Sequence, residues 1–195
     1  YDQKIIEIEP VGTDEINIVW EWRFWDHLIQ DFDDTKDNFG TVEDNPQLLD
    51  INYLGASNGQ MNWLHMNSIQ YNELLDQIII SSRHMSEFYI IDHSTTTLEA
   101  SGHTGGNRGK GGDFLYRWGN PQVYRAGNVD DRKLFGQHYP HWINEGLREE
   151  GKIILFNNGF NRSPDFSTVH TISLPQNNDG SYTVPGNDGF EPKDF

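Results

Sequence analysis

Apolar positions along the chain alternate or cluster in short runs, and no long stretch carries a helical period. Lys4-Ile-Ile-Glu-Ile8 alternates, Glu9-Pro-Val-Gly-Thr13 is a turn, and Ile16-Asn-Ile-Val-Trp-Glu-Trp22 returns, which predicts a hairpin. Asp31 to Asn45 is acidic and irregular, and Pro46 to Leu54 reads as a short helix in a connection. Strands are then expected at Ile69–Tyr71, Gln77–Ser81 and Phe88–Asp92, with a turn at Asn72–Asp76. The glycine-rich stretch Ser101–Gly112 reads as a mobile loop, leading into a strand over Asp113–Pro121.

One pattern occurs twice, roughly seventy-five residues apart. The first copy is Trp63-Leu-His65-Met-Asn67, then Ile78-Ile-Ile80, then Ser81-Ser-Arg83. The second is Gln137-His138 with Trp142, then Ile153-Ile-Leu155, then Asn157 to Arg162. Each has a histidine before an apolar run, an arginine after it, and a further strand, Phe88–Ile91 in one and Val169–Ile172 in the other. Trp-bearing strands, Ile18–Trp22 and Asp113–Pro121, read as closing strands of such modules. Four strands per module, repeated radially, describe an all-β fold of the β-propeller type. Residues 1–195 are then part of a single propeller domain, with about two full blades plus flanking hairpins.

Composition supports this. Nineteen glycines and many Asn and Asp residues supply frequent turns, while aromatic residues make up 13% of the chain and carry much of the core. The net charge of −16 argues against nucleic acid and anionic membrane surfaces as partners, because phosphate binding is driven by cationic patches. Any anion site must therefore be a local cationic island. There is no cysteine, so disulfides and thiolate metal sites are excluded, and no apolar run is long enough for a membrane span. The chain starts at Tyr1 without Met and stops at Phe195 without a stop signal, so it is expected to be a piece of a longer protein whose remaining blades, or a partner chain, complete the ring.

Histidine and arginine delivered to one level make an anion site with a proton carrier or nucleophile. The candidates are His65 and His138 at the strand starts and Arg83 and Arg162 after the apolar runs, the guanidinium matching a tetrahedral oxyanion in a bidentate way. Asn67 and Asn158 are positioned either to donate amide N–H groups to the same anion or to serve as turn residues. His141 competes with His138, because sequence leaves the register of Gln137–Trp142 open. Strand alternation turns His84 away from the face of Arg83. His27, His93 and His103 read as surface or loop residues. No metal site and no cofactor are expected: there is no His-Glu-x-x-His pattern, and the loop Gly102–Gly112 lacks the Ser or Thr and the following helix of a P-loop.

The segments Asn62-Trp-Leu-His-Met-Asn-Ser68, Ile78-Ile-Ile-Ser-Ser-Arg-His84, Gly136-Gln-His138 and Asn158-Gly159 through Arg162 resemble the PAPS-independent aryl-sulfate sulfotransferases, over roughly residues 61–162. The resemblance implies a six-bladed propeller in the periplasm or outside the cell. It implies nucleotide-independent transfer of a sulfuryl group from an aryl sulfate donor to a phenolic acceptor, by a ping-pong route through a sulfated histidine. His65, His138 and Arg162 match the family's active-site cluster, with Arg83 and Asn67 as neighbours. The family's histidine nucleophile lies downstream of the Asn-Gly…Arg segment. A non-catalytic propeller binding an anionic or aromatic ligand, or a protein, is the competing reading, since one fold hosts many functions. Sulfatase-type hydrolysis is the weaker competitor, because that chemistry rests on a modified Cys or Ser with a metal, and there is no Cys here.

Overall fold

The computed structural model describes residues 2–55, 62–183 and 190, and its strands account for nearly all of the regular structure. β1 (Lys4–Val11) and β2 (Glu15–Arg23) form the expected antiparallel hairpin, turning at Gly12 and bulging between Glu7 and Ile8. Two short parallel strands, β3 (Leu28–Ile29) and β4 (Leu49–Asp50), follow. The helix expected over Pro46–Leu54 is absent: Leu49 and Asp50 pair with β3, and turns follow. Buried Leu49 is held more firmly by that pairing than by helical propensity in a segment opened by proline.

The first copy of the repeat folds as an antiparallel meander of four strands in sequential order, β5 (Met66–Asn72), β6 (Gln77–Ser82), β7 (Glu87–Asp92) and β8 (Tyr116–Trp118). Every residue of β6 and β7 is buried, as expected of central strands covered on both faces, whereas β5 is partly exposed. The closing strand is shorter than Asp113–Pro121. It ends where Gly119 takes a positive φ of 130° and Pro121 opens a 3-10 turn. The second copy gives three antiparallel strands in the order β11-β10-β9: β9 (His138–Trp142), β10 (Ile153–Asn157) and β11 (Thr168–Ile172). Among the described residues it has no fourth strand, and Ile18–Trp22 lies in the β1–β2 hairpin rather than closing a module.

The glycine-rich segment is a loop closed by its own backbone hydrogen bonds. A single helical turn, α1 (Thr97–Ala100), opens it with a Thr96/Glu99 capping box. Backbone bonds from Gly111 N to Gly105 O and from Gly112 N to Gly102 O then close it on itself, and the indole of Trp22 donates to Gly112 O.

The two copies are fastened together by side chains. Asn67 Nδ2 donates to Gln137 O at 2.7 Å, and Trp142 N donates to Gln70 Oε1 at 2.7 Å. The buried Gln137 amide reaches Ser81 Oγ, Ser82 O and Glu87 O. Beneath, the Arg117 guanidinium and the Glu87 carboxylate, both fully buried, form a two-pronged ion pair, and Arg117 Nη1 donates to Pro46 O and Leu48 O. No helix among the described residues is long and apolar enough to cross a membrane.

Candidate functional site

Two backbone bonds prolong the β5–β6 ladder past its last paired residues: Arg83 N donates to His65 O and His84 N to Leu64 O. This places His65, Arg83 and His84 at one end of the first sheet. In the chain, Asn158 follows β10 directly, as Arg83 follows β6. Arg162 comes only after a further turn.

Between these ends lies a cavity of about 330 Å³ lined by Arg83, His84, Ser86, Arg132, Phe160 and Asn161, with Leu54 and Gly136 completing its wall. Arg83 and His84 therefore share one cavity. Strand alternation fails to separate them because β6 ends at Ser82 and both lie in the following turn. The Arg83 guanidinium lies over the Phe160 ring at 5.2 Å. Arg132 Nη2 donates to Ser86 Oγ at 2.7 Å and Nε to Leu134 O, while its charge faces the Phe135 ring at 4.6 Å. Burial pulls the Arg132 guanidinium below its ordinary value. Arg162 lies on the Phe166 ring at 3.9 Å and also faces Phe135, with Nη2 donating to Phe166 O; it does not border the cavity.

The charge arrangement is specific. Of the chain's eight arginines, five form ion pairs with carboxylates. Among the described residues the three that do not are Arg83, Arg132 and Arg162, which gather around Phe135 and Phe160. In a chain with thirty carboxylates, a carboxylate-free cavity bordered by Arg83 and Arg132 is a local cationic island. Arg132 escapes sequence reading because Asp130-Asp131-Arg132-Lys133 looks like an ordinary solvated charge run.

The histidines divide sharply. His65 lies with its ring 5.0 Å from that of His84 at the rim. Asn62 Nδ2 lies 3.2 Å from His65 Nδ1, which assigns the neutral ring's proton to Nε2. His84 Nδ1 donates to Trp63 O, so its Nε2 carries the free lone pair. Gly136, with φ of 67°, turns its carbonyl back to within 3.1 Å of His138 Nδ1 and 2.5 Å of Asn158 Nδ2, and Asn158 Nδ2 is 2.9 Å from the same His138 nitrogen. His138, not His141, is therefore joined to Asn158. His141 donates to Tyr139 O and packs on the Tyr139 ring away from the cavity. The amide groups of Asn67 and Asn158 both reach the Gly136–Gln137 backbone, so these residues hold the wall. His27, expected at the surface, is instead fully buried.

Three non-glycine residues with left-handed backbone lie at or beside this cavity: His65 (φ 49°), Ser86 (58°) and Asn161 (63°). Such conformations cost about 1 kcal/mol or more each and persist where the surroundings hold them in place, often at functional sites.

Burial, and then the positive neighbours His84, Arg83 and His138, hold the His65 imidazole below its ordinary value. The ring is thus held neutral at neutral pH, as a proton acceptor must be. Its depressed value makes a stability contribution that is present above the ordinary histidine range and lost as pH falls through the folded value. Removing His84 takes away one of the depressing charges. The His65 titration followed by NMR is therefore expected to move upward in His84→Ala, and an unmoved midpoint would detach the two rings electrostatically.

These features define an all-β protein with a cationic, carboxylate-free cavity that has His84 in its wall and His65 packed against it. The family model for arylsulfotransferase (ASST) matches residues 2–184, and the chain belongs to that family. The family's chemistry is sulfotransfer, so the protein is a sulfotransferase. No curated protein and no solved structure matches the chain.

Proposed function

We propose that this chain carries part of the active site of a nucleotide-independent aryl-sulfate sulfotransferase, with its four-stranded and three-stranded sheets as adjacent blades of a β-propeller. The observation that carries the reading is a carboxylate-free cavity bordered by Arg83, Arg132 and His84, with His65 packed on His84 and Arg162 behind Phe135; among the described residues none of the three arginines pairs with a carboxylate. Sulfate esters are tetrahedral oxyanions, and guanidinium groups match their oxygens without losing charge.

The reaction balances as two displacements. A histidine nitrogen lone pair attacks the sulfur of the aryl sulfate, the sulfur–aryloxy bond breaks, and the departing phenolate takes a proton from a neighbouring imidazolium. In the return step the acceptor phenol gives its proton to that imidazole. Its oxygen attacks the sulfur, and the nitrogen–sulfur bond breaks. In this chain the proton transfers are assigned to His138, with His65 held neutral beside it. Arg83 and Arg132 neutralise the sulfuryl oxygens as charge moves toward the leaving group. Arg162, which the family resemblance places in the active-site cluster, stands behind Phe135 and supports the cationic field.

The test uses the full-length protein with 4-nitrophenyl sulfate, no nucleotide, and phenol present or absent. Phenol-dependent nitrophenolate release that falls at least tenfold in His65→Ala and Arg162→Ala is expected, together with a sulfated histidine peptide by mass spectrometry in the absence of acceptor. Equal release without phenol would replace transfer by hydrolysis. No release from a folded protein would leave a non-catalytic anion-binding module.

A further inference from the structure

Far from the arginine cavity, three side chains from separate segments converge on one point. His27 ends the 3-10 turn Phe24–His27 after β2, its ring stacked on Trp22 with centroids 5.3 Å apart and fully buried. Its Nε2 lies 2.8 Å from Ala100 O, and its Nδ1 lies 2.9 Å from Asp113 Oδ1. His103, whose side chain is 59% exposed, brings its own Nδ1 to 2.8 Å from the same carboxylate oxygen. All three atoms lie within 4.8 Å of one another.

A neutral imidazole has one N–H. The Ala100 carbonyl can only accept, so it claims the proton of His27 on Nε2. The Nδ1 lone pair is then turned toward a carboxylate oxygen, an arrangement that is repulsive unless a positive species lies there. An added proton on His27 is one such species; a metal ion is the other. Three features favour the ion. The far nitrogen of His27 is tied to a backbone carbonyl, the usual outer partner that fixes the tautomer of a metal-bound histidine. A second imidazole nitrogen points at the same oxygen, where an ion pair needs only one. A cleft of about 570 Å³, bordered by His103, Asp113, Asp26 and Asp37, gives solvent and ions access, with Lys110 as its cationic neighbour.

We propose that His27 Nδ1, His103 Nδ1 and Asp113 Oδ1 bind a divalent transition ion of the zinc class. Two imidazoles and one carboxylate suit that class better than calcium or magnesium, which favour oxygen-rich sets. Nitrogen–oxygen separations of 2.8 and 2.9 Å need to widen by about half an ångström for tetrahedral zinc with bonds of roughly 2.0–2.2 Å; exposed His103 can supply the first change, and the second takes a small turn of the Asp113 carboxylate away from His27. Water completes the shell from the cleft. The ion clips the glycine-rich segment Ser101–Gly112 to the β1–β2 hairpin, whose Trp22 already donates to Gly112 O. This site is independent of the sulfotransfer reading.

The experiment measures zinc binding to the full chain, stripped with chelator, by calorimetry. Melting temperature with and without zinc, and the visible absorption of a cobalt-substituted sample, are recorded in parallel. One-to-one binding at micromolar zinc, a raised melting temperature and a cobalt spectrum of mixed nitrogen and oxygen ligation are expected. Affinity is expected to fall at least tenfold in His103→Ala, which removes an exposed side chain and leaves the fold in place, and to stay unchanged in His141→Ala. Asp113→Asn is expected to behave like His103→Ala where it folds. Absence of stoichiometric binding in the unaltered protein would overturn the proposal and leave a protonated His27 paired with Asp113. Binding of undiminished strength in His103→Ala would overturn it equally.

Discussion

Arg83→Ala is expected to lower kcat/KM for sulfuryl transfer by about 10²–10³-fold, the usual loss when one preorganised donor to a developing oxyanion is removed. Arg83 borders the cavity directly and, among the described residues, has no carboxylate partner to be stranded by its removal. The melting temperature should therefore stay close to that of the unaltered protein while activity falls. Arg83→Lys is expected to recover only part of the loss, because an ammonium keeps the charge without the planar fork. Steady-state kinetics with 4-nitrophenyl sulfate and phenol decide the matter. Arg83→Ala activity within threefold of the parent would move the reaction to another part of the molecule.

The largest effect on stability is expected at Arg117→Met. It leaves Glu87 fully buried with no cation, and removing one member of a buried pair typically costs about 3–5 kcal/mol. Burial already pushes the Glu87 carboxyl up, against the opposing pull of Arg117 and the Tyr89 hydroxyl. Without the guanidinium it rises further, so the folded variant binds a proton that the unfolded chain releases. The deficit should accordingly grow as pH rises above the ordinary glutamate range and shrink below it. Denaturant unfolding at two pH values measures this. Arg117→Met/Glu87→Leu should be more stable than Arg117→Met alone, because it removes the stranded carboxylate together with its partner. A double variant no more stable than the single one would show that Arg117 acts through its contacts with Pro46 O and Leu48 O and its stacking on Tyr124 and other rings.

The apolar pattern was sufficient for most strands. Alternation over Lys4–Ile8 and Ile16–Trp22 and the runs at Ile78, Phe88 and Ile153 all became strands, since period and β-branched content act locally. The repeated His–apolar run motif likewise marked the two sheets that meet at the cavity, and the motifs around His65 and His138 carried the family resemblance. Pattern failed at Pro46–Leu54, where partner pairing outweighed local preference, and it could not show the backbone bonds that close the glycine-rich loop on itself.

The amino-acid sequence by itself determined the all-β character, the paired modules, the strongly acidic balance and the family, because each depends on local periodicity, residue counts or contiguous motifs. Tertiary structure alone decided that Arg132 joins Arg83 at the cavity and that Arg162 stands behind Phe135. It also set His138 rather than His141 beside Asn158, and brought His27, His103 and Asp113 to one point. Those outcomes depend on which turns end which strands and on side chains meeting across large sequence separations, where close packing and charge pairing in three dimensions govern and no local pattern survives.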